Sequence, residues 1–469
     1  MKKKSSPHSL FNYSKRTPLE RDAGLAAAVY PRRIIESEAL NLRASSNVRW
    51  LLVLWLFVLS AVAYLDRVNL SIAGAKISDE FGVSNVRLGV VFSAFLLGYA
   101  LFQTPAGWLA DRFGPRRALT GGVIWWGVFS AMTAAVSHTM ANPVIVLLVI
   151  RFLLGAGEAI VYPASNQFVA RWIPSAERGV ANGIIFAGVG IGAGVTPPLI
   201  SYVMLRYGWR SSFLLSALIG LAAGAVWFLA ARDTPESHPS VSASELSHIQ
   251  QGISKSSEGQ DSGHISLSTM LSNRIVWILS FAYFCFGYVA WVFFSWFYLY
   301  LAKVRGLSLN SSAFYATLPF LAMAICSPAG GAISDFLTRR FGPRIGRCTM
   351  AVIGFALTAI FIALGSGVKD ARVASVVLAG GAGSLYLSQS SFWAVSADLG
   401  GKSSGSLSGF MNMANQIGGM ITVMLTPYLA GKFGWNSGFS VAAAVAVLGA
   451  VGWLFINPGI ALLPKKVGP

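Results

Sequence analysis

Apolar residues run along this chain in blocks of about twenty, parted by short polar or basic breaks. Twelve such blocks fall at approximately residues 50–72, 86–110, 118–137, 143–163, 180–204, 212–231, 275–301, 312–337, 348–367, 372–395, 404–430 and 436–457. A helix of ~20 residues spans the bilayer core, and Gly and Pro inside such helices are tolerated. The pattern predicts an all-α integral membrane protein with twelve transmembrane helices.

The blocks repeat. GWLADRFGPRR (107–117) after the second recurs as GAISDFLTRRFGPR (331–344) after the eighth, and YGWRSSF (207–213) before the sixth as FGWNSGF (433–439) before the twelfth. A repeat six spans apart, with orientation unchanged, implies two pseudo-symmetric six-helix bundles with cargo held between them at mid-membrane. The expected divisions are a basic tail (1–48), a first bundle (49–232), a linker (233–272), a second bundle (273–458) and a short tail (459–469). The linker is rich in Ser, Glu and His and reads as a flexible connector.

Composition agrees with a lipid solvent: 54% of residues are hydrophobic and 12% charged, roughly half the usual ~25%. The net charge of +18 does not point to nucleic acid, because the bases lie between apolar blocks and no basic patch with interleaved aromatics stands on a soluble domain. With both termini placed inside, 25 of the 36 Lys and Arg fall in inside segments, 9 in outside loops and 2 in spans. That bias predicts a multi-pass plasma (bacterial inner) membrane protein with cytoplasmic termini. Cys285, Cys326 and Cys348 form neither metal spacing nor a disulfide framework. The five His all lie outside the blocks, and no HExxH or CxxC occurs. No metal or cofactor is expected, and the chain reads as no enzyme.

Away from the ends of the apolar blocks sit four charges, all in the first half: Asp66 and Arg67 in span 1, Arg151 and Glu158 in span 4. Each costs at least ~2.5 kcal/mol at mid-membrane, and such residues mark cargo or proton paths. Arg151 and Glu158 stand nearly two turns apart on one face, roughly 10 Å along the axis. Arginine binds carboxylate through a planar fork and keeps its charge when buried. Asp66 and Glu158 suit proton coupling, since burial and a neighbouring Arg shift a carboxyl group in opposite directions. A bland alternative is that the four merely form structural pairs across spans 1 and 4. The charge-free second half is expected to read the neutral part of the cargo. Tyr64, Tyr99, Gln103 and Tyr162 are candidate lining from the first half. Ser388, Gln389, Ser390, Ser391, Trp393, Asn412, Asn415 and Gln416 are candidates from spans 10 and 11, although such groups often only bind helices together. Trp393 offers a flat face to the C–H face of a sugar. The aromatic run 288–300 reads as packing and interfacial belt.

The segment GWLADRFGPRR, with its weaker second copy, resembles the loop signature of the major facilitator superfamily, and the likeness covers about residues 50–457. Asp111 and Asp335 lie beside arginines (Arg112, Arg116 and Arg117; Arg339, Arg340 and Arg344). Charge pairs among them are expected to latch the bundles at the cytoplasmic side, with Asp111, Arg112, Arg116, Asp335 and Arg340 as gating residues. The alternative is that these bases serve orientation only. YLDRVNLSIA (64–73), FSAFLLGYALFQTPAGWLADRFG (92–114), RFLLGAGEAIVYPA (151–164) and SGFMNMANQIGG (408–419) resemble the anion:cation symporter family. That family includes bacterial sugar-acid permeases and, more distantly, sialin and the vesicular glutamate transporters. The resemblance implies that Asp66 and Glu158 carry protons and that Arg67 and Arg151 handle the anion or organise those acids, with Tyr99 and Trp393 in the pocket. Where those permeases carry a span 5 glutamine, this chain reads VGIG (189–192).

The reading is a monomeric proton-coupled symporter in the lipid bilayer, importing a small organic anion, a sugar acid before a tartrate, phthalate or glutamate type. An exporter of cationic drugs fits the two arginines poorly. An organic-anion exporter, a transporter-like receptor and a membrane enzyme are the competing functions.

Overall fold

The computed structural model describes residues 46–82, 85–257, 265–307 and 309–459. The expected tail 1–48 lies outside them except for its last three residues, and the expected tail 459–469 except for Gly459. The first bundle comprises α1 (Val48–Phe81), α2 (Asn85–Phe113), α3 (Pro115–Ala135), α4 (Pro143–Glu158), α5 (Val161–Trp172), α6 (Arg178–Tyr207) and α7 (Trp209–Ala230). A linker helix, α8 (Ala243–Ser257), follows. The second bundle comprises α9 (Arg274–Ser295), α10 (Leu309–Phe341), α11 (Pro343–Gly367), α12 (Ala371–Gly400), α13 (Ser404–Phe433) and α14 (Trp435–Leu454).

Among the described residues, eleven helical stretches are long and apolar enough to cross a membrane. One of them, the 63-residue stretch Ala371–Phe433, turns at Gly401–Ser403 into α12 and α13 and so supplies two crossings. Twelve crossings result, as the apolar blocks predict. The fourth is broken after Glu158. Pro163, in the first turn of α5, has no N–H to offer the Ala159 carbonyl, and residues 159–160 form a turn instead of helix.

The repeat owes its visibility to turn chemistry. Gly114 (φ 82°) and Gly342 (φ 86°) precede the prolines that open α3 and α11, and Gly208 and Gly434 (both φ 82°) end α6 and α13. Left-handed backbone of that kind favours glycine. All four sit at matching places in the two halves. Small residues also let helices touch: a Cβ on Gly155 would lie 2.2 Å from the Phe95 carbonyl oxygen, so α2 and α4 cross backbone to backbone.

The linker corrects the sequence reading. Its Ser- and Glu-rich stretch contains α8, whose Ile249 and Glu245 are fully buried. Glu245 accepts the main-chain N–H groups of Val48 (3.1 Å) and Arg49 (3.2 Å) and the Arg49 guanidinium at 3.0 Å. The α8 sequence is polar overall but buries one apolar residue per few turns, a pattern that composition alone hides.

Candidate functional site

Between the bundles lies a cavity of about 400 Å³, the open solvent at its mouth included. Tyr64 and Arg67 of α1, Tyr99 of α2, Tyr162 of α5 and Phe186 of α6 line it from the first half. From the second come Tyr283, Phe286, Trp291 and Phe294 of α9, Tyr386 and Gln389 of α12, and Asn412, Asn415 and Gln416 of α13. Arg67 contributes the cavity's one charge.

The charges form one cluster inside the first bundle. Arg67 Nε donates to Glu158 Oε1 at 2.5 Å. Its guanidinium lies 4.2 Å from the Tyr99 ring centre and 4.8 Å from that of Tyr64, distances at which a cation is attracted to the ring face. Asp66, the residue before it, turns away from Arg67 and accepts the Ser130 hydroxyl at 2.5 Å. Arg151 lies 5.0 Å from the Phe95 ring centre and interacts electrostatically with both Asp66 and Glu158. Asp66, Arg151 and Glu158 are at most 2% exposed. Several of their polar atoms have no protein partner: Asp66 Oδ2, Glu158 Oε2, Arg67 Nη2, and Arg151 Nε and Nη1. The cluster is therefore not a closed structural salt bridge, because buried polar groups ordinarily find partners.

The second half presents amides and phenols. Trp393 Nε1 and Gln389 Nε2 both donate to the Tyr283 hydroxyl, at 2.8 and 2.9 Å. Asn412 donates to Gln103 Oε1 of the first half at 3.0 Å, and Asn415 to Asn412 Oδ1 at 3.3 Å.

Of the residues singled out from the sequence, Tyr64, Arg67, Tyr99, Asn412 and Asn415 line the cavity, whereas Arg151, Gln103, Ser390 and Trp393 do not. Arg151 sits behind Arg67 in the bundle. Gln103 faces α13 across the bundle interface. Tyr386 and Gln389 share the cavity face of α12, whereas Ser390, about 100° round from Gln389, is fully buried and lines none of the cavity. Trp393 is one turn deeper, screened by Tyr283 and tilted against Tyr162 and Phe186, with ring centres 5.8 and 5.0 Å away. Tyr283, Phe286, Trp291 and Phe294 escaped the sequence reading. All four are aromatic without a charged neighbour in sequence, and Trp291 and Phe294 lie in the run read as packing. Only the recurrence of Tyr283, Phe286, Ala290 and Phe294 at three- and four-residue spacing marked a common face, and Trp291 falls outside that series.

At the linker end the bundles are joined. Asp111 of α2 accepts the main-chain N–H groups of Gly405 (2.9 Å) and Ser406 (2.8 Å) and the Ser406 hydroxyl (2.5 Å), all at the start of α13. Asp335 of α10 accepts the N–H groups of Gly179 (2.9 Å) and Val180 (2.6 Å) at the start of α6, and the Arg347 guanidinium at 2.5 Å. Each aspartate caps the N-terminus of a helix in the other bundle, where an anion is favoured. The expected aspartate–arginine pairs across the bundles involving Arg112, Arg116 and Arg340 are absent among the described residues. Arg116 bonds the Phe228 carbonyl of its own bundle at 2.8 Å, Arg112 lies over Trp108 and Phe113, and Arg340 over Phe341. Main-chain N–H groups at helix ends supply what those side chains were expected to. Arg178–Asp398 at 2.5 Å adds an ion pair across the same end.

The family model for the Major Facilitator Superfamily matches residues 56–421, with a second match at 316–468. This chain belongs to that superfamily. It is a membrane transporter with the superfamily's fold, and not an enzyme. It is 32% identical over 399 residues to a probable sulfoacetate transporter, SauU, of Cupriavidus necator, covering 85% of this chain and 91% of the relative. It is 30% identical over 433 residues to a probable galactarate/D-glucarate transporter, GudP, of Escherichia coli, covering 89% and 95%. Its fold matches a crystal structure of the proton:xylose symporter XylE with a TM-score of 0.68 at 14% identity, covering 88% of this transporter and 97% of that chain.

Proposed function

We propose that this transporter imports a small organic anion, a sugar acid in the first place, by proton-coupled symport with alternating access. The observation that carries the reading is Arg67: a cation at the cavity wall, paired with a buried carboxylate, with one guanidinium nitrogen left without a protein partner. A cargo carboxylate or sulfonate is the natural complement of that nitrogen. Asp66 and Glu158 are the proton carriers in this reading, and Arg151 holds the field between them. The amides of Asn412, Asn415 and Gln389 and the phenols of Tyr64, Tyr99 and Tyr283 suit a cargo with several hydroxyl groups. The names of the two relatives, both of organic anions, support the class.

Asp111 and Asp335 act as latches that hold the linker end shut while cargo enters from the other side. The excess of Lys and Arg assigns that end, with both termini, to the cytoplasm.

A thermal-shift screen of the purified protein against galactonate, glucuronate, glucarate, sulfoacetate, tartrate, phthalate and glutamate identifies the cargo. Uptake of the hit into liposomes under an inward proton gradient then tests coupling. Failure of every anion to stabilise the protein, or uptake indifferent to the gradient, would overturn the corresponding half of the reading.

A further inference from the structure

Two helix seams join the bundles, α2–α13 and α6–α10, and the internal repeat makes them counterparts. Asp111 on the α13 start matches Asp335 on the α6 start. One step closer to the cavity, a Cβ on Gly409 would lie 2.3 Å from the Gln103 carbonyl oxygen, and one on Gly183 would lie 2.6 Å from that of Ser327. Both seams are thus closed backbone to backbone. At the level of the cavity floor they diverge.

In the α2–α13 seam, Gln103 and Asn412 share a hydrogen bond at 3.0 Å and are at most 3% exposed. Asn412 also lines the cavity, whereas Gln103 does not. Gln103 Nε2 has no protein partner, so Asn412 is the one side chain shown to bond its amide. By the repeat, the α6–α10 counterparts are Phe186 and Ser327. Phe186 stacks on Tyr162 with ring centres 4.7 Å apart, and Ser327 Oγ has no protein partner. No hydrogen bond spans that seam at this level among the described residues. The latches differ in the opposite sense. Asp335 is braced by Arg347, itself bonded to the Ser175 carbonyl across the interface at 2.7 Å, while Asp111 forms no ion pair among the described residues.

We propose that the two seams do unequal work: the Gln103–Asn412 bridge is a bolt that bound cargo withdraws, so that the α2–α13 seam opens in response to cargo while the ion-braced α6–α10 seam serves as the hinge. A cargo hydroxyl or carboxylate that engages the Asn412 and Asn415 amides competes for the N–H held by Gln103. Gln103 is then left buried with both ends of its amide unpaired, a costly state that is relieved when the seam parts and water enters. Gln103 is on this account a positioning residue, acting on cargo only through Asn412. The inference rests on the cavity being the cargo site, as proposed above.

Hydrogen–deuterium exchange of the purified full chain reads each seam separately. In the wild type, glucarate is expected to speed exchange over residues 405–412 and to leave 179–186 nearly unchanged. In Gln103→Leu, exchange over 405–412 is expected to be raised roughly five-fold without any cargo, the weight of one neutral hydrogen bond, and to rise no further with glucarate. The double swap Gln103→Asn with Asn412→Gln, which keeps an amide on each side, is expected to restore the response. Equal acceleration of both seams by glucarate, acceleration of neither, or a Gln103→Leu protein that still responds fully would overturn the bolt. Should glucarate and the rest of the anion panel fail to bind, it is the anion reading that falls. The cargo-free comparison of Gln103→Leu with wild type then still decides the bolt: a rise confined to 405–412 upholds it, and any other result removes it.

Discussion

Arg67 and Glu158 meet at 2.5 Å between α1 and α4, and the arginine alone of the two reaches the cavity. Any anion that binds Arg67 therefore competes directly with a buried carboxylate. Removing one partner of a buried pair typically costs 3–5 kcal/mol, because the other is left charged and unpaired. Arg67→Ala is accordingly expected to lower the melting temperature and abolish uptake. Arg67→Ala combined with Glu158→Gln is expected to recover much of the melting temperature but no uptake. Recovery of uptake in the double variant would show that the arginine serves the fold alone.

Asp66 has no contact with the cavity, and its carboxylate accepts one hydroxyl, from Ser130. Asp66→Asn is expected to preserve cargo-for-cargo exchange across liposomes while eliminating accumulation under an imposed inward proton gradient. Measuring counterflow and gradient-driven uptake side by side checks this. Gradient-driven accumulation that persists in Asp66→Asn removes the residue from the coupling path.

At the linker end, Asp111→Asn keeps the side chain's shape but gives up the charge that faces the α13 N-terminus. A carboxylate there is worth typically 0.3–1 kcal/mol, up to ~2 when partly buried, so the closed population should fall by a few-fold up to tens-fold. Alkylation of a cysteine placed at Ser406 in each background provides the readout, with faster labelling expected in Asp111→Asn.

Glu80, beyond the end of the first membrane span, accepts two hydrogen bonds from Arg210, at 2.9 and 2.6 Å, which hold its carboxyl below the usual range. A depressed carboxyl group contributes stability that is present above its unfolded value, ~4.3, and lost as pH falls through the lower folded value. The pair is partly exposed, which limits it to ~0–1 kcal/mol. Glu80→Gln is expected to lower the melting temperature slightly at pH 7 and to have a smaller effect at pH 3. An equal effect at both values would assign the contribution to packing.

The fold was legible because lipid and turn geometry leave few choices. Apolar blocks of spanning length gave the crossings, and glycines such as Gly114 and Gly342, bound to φ near 82° and 86°, gave the repeat. The charged side of the site was legible for a related reason: Asp66, Arg67, Arg151 and Glu158 are conspicuous in apolar blocks. What stayed hidden lacks that contrast. Tyr283, Trp291 and Phe294 resemble any lipid-facing aromatic until the neighbouring helix is in place. Likewise, Asp111 was sought beside arginines because side chains are what a sequence displays. Its partners are main-chain N–H groups, which every residue but proline carries.

Because Glu245 holds the amides that begin α1, α8 is in effect the last piece of the first bundle. A cut in the chain after α8 and before Ile265 would leave α8 seated on its own half. The two polypeptides so produced would each carry a complete six-crossing lobe, and pairing them would depend on the interface alone.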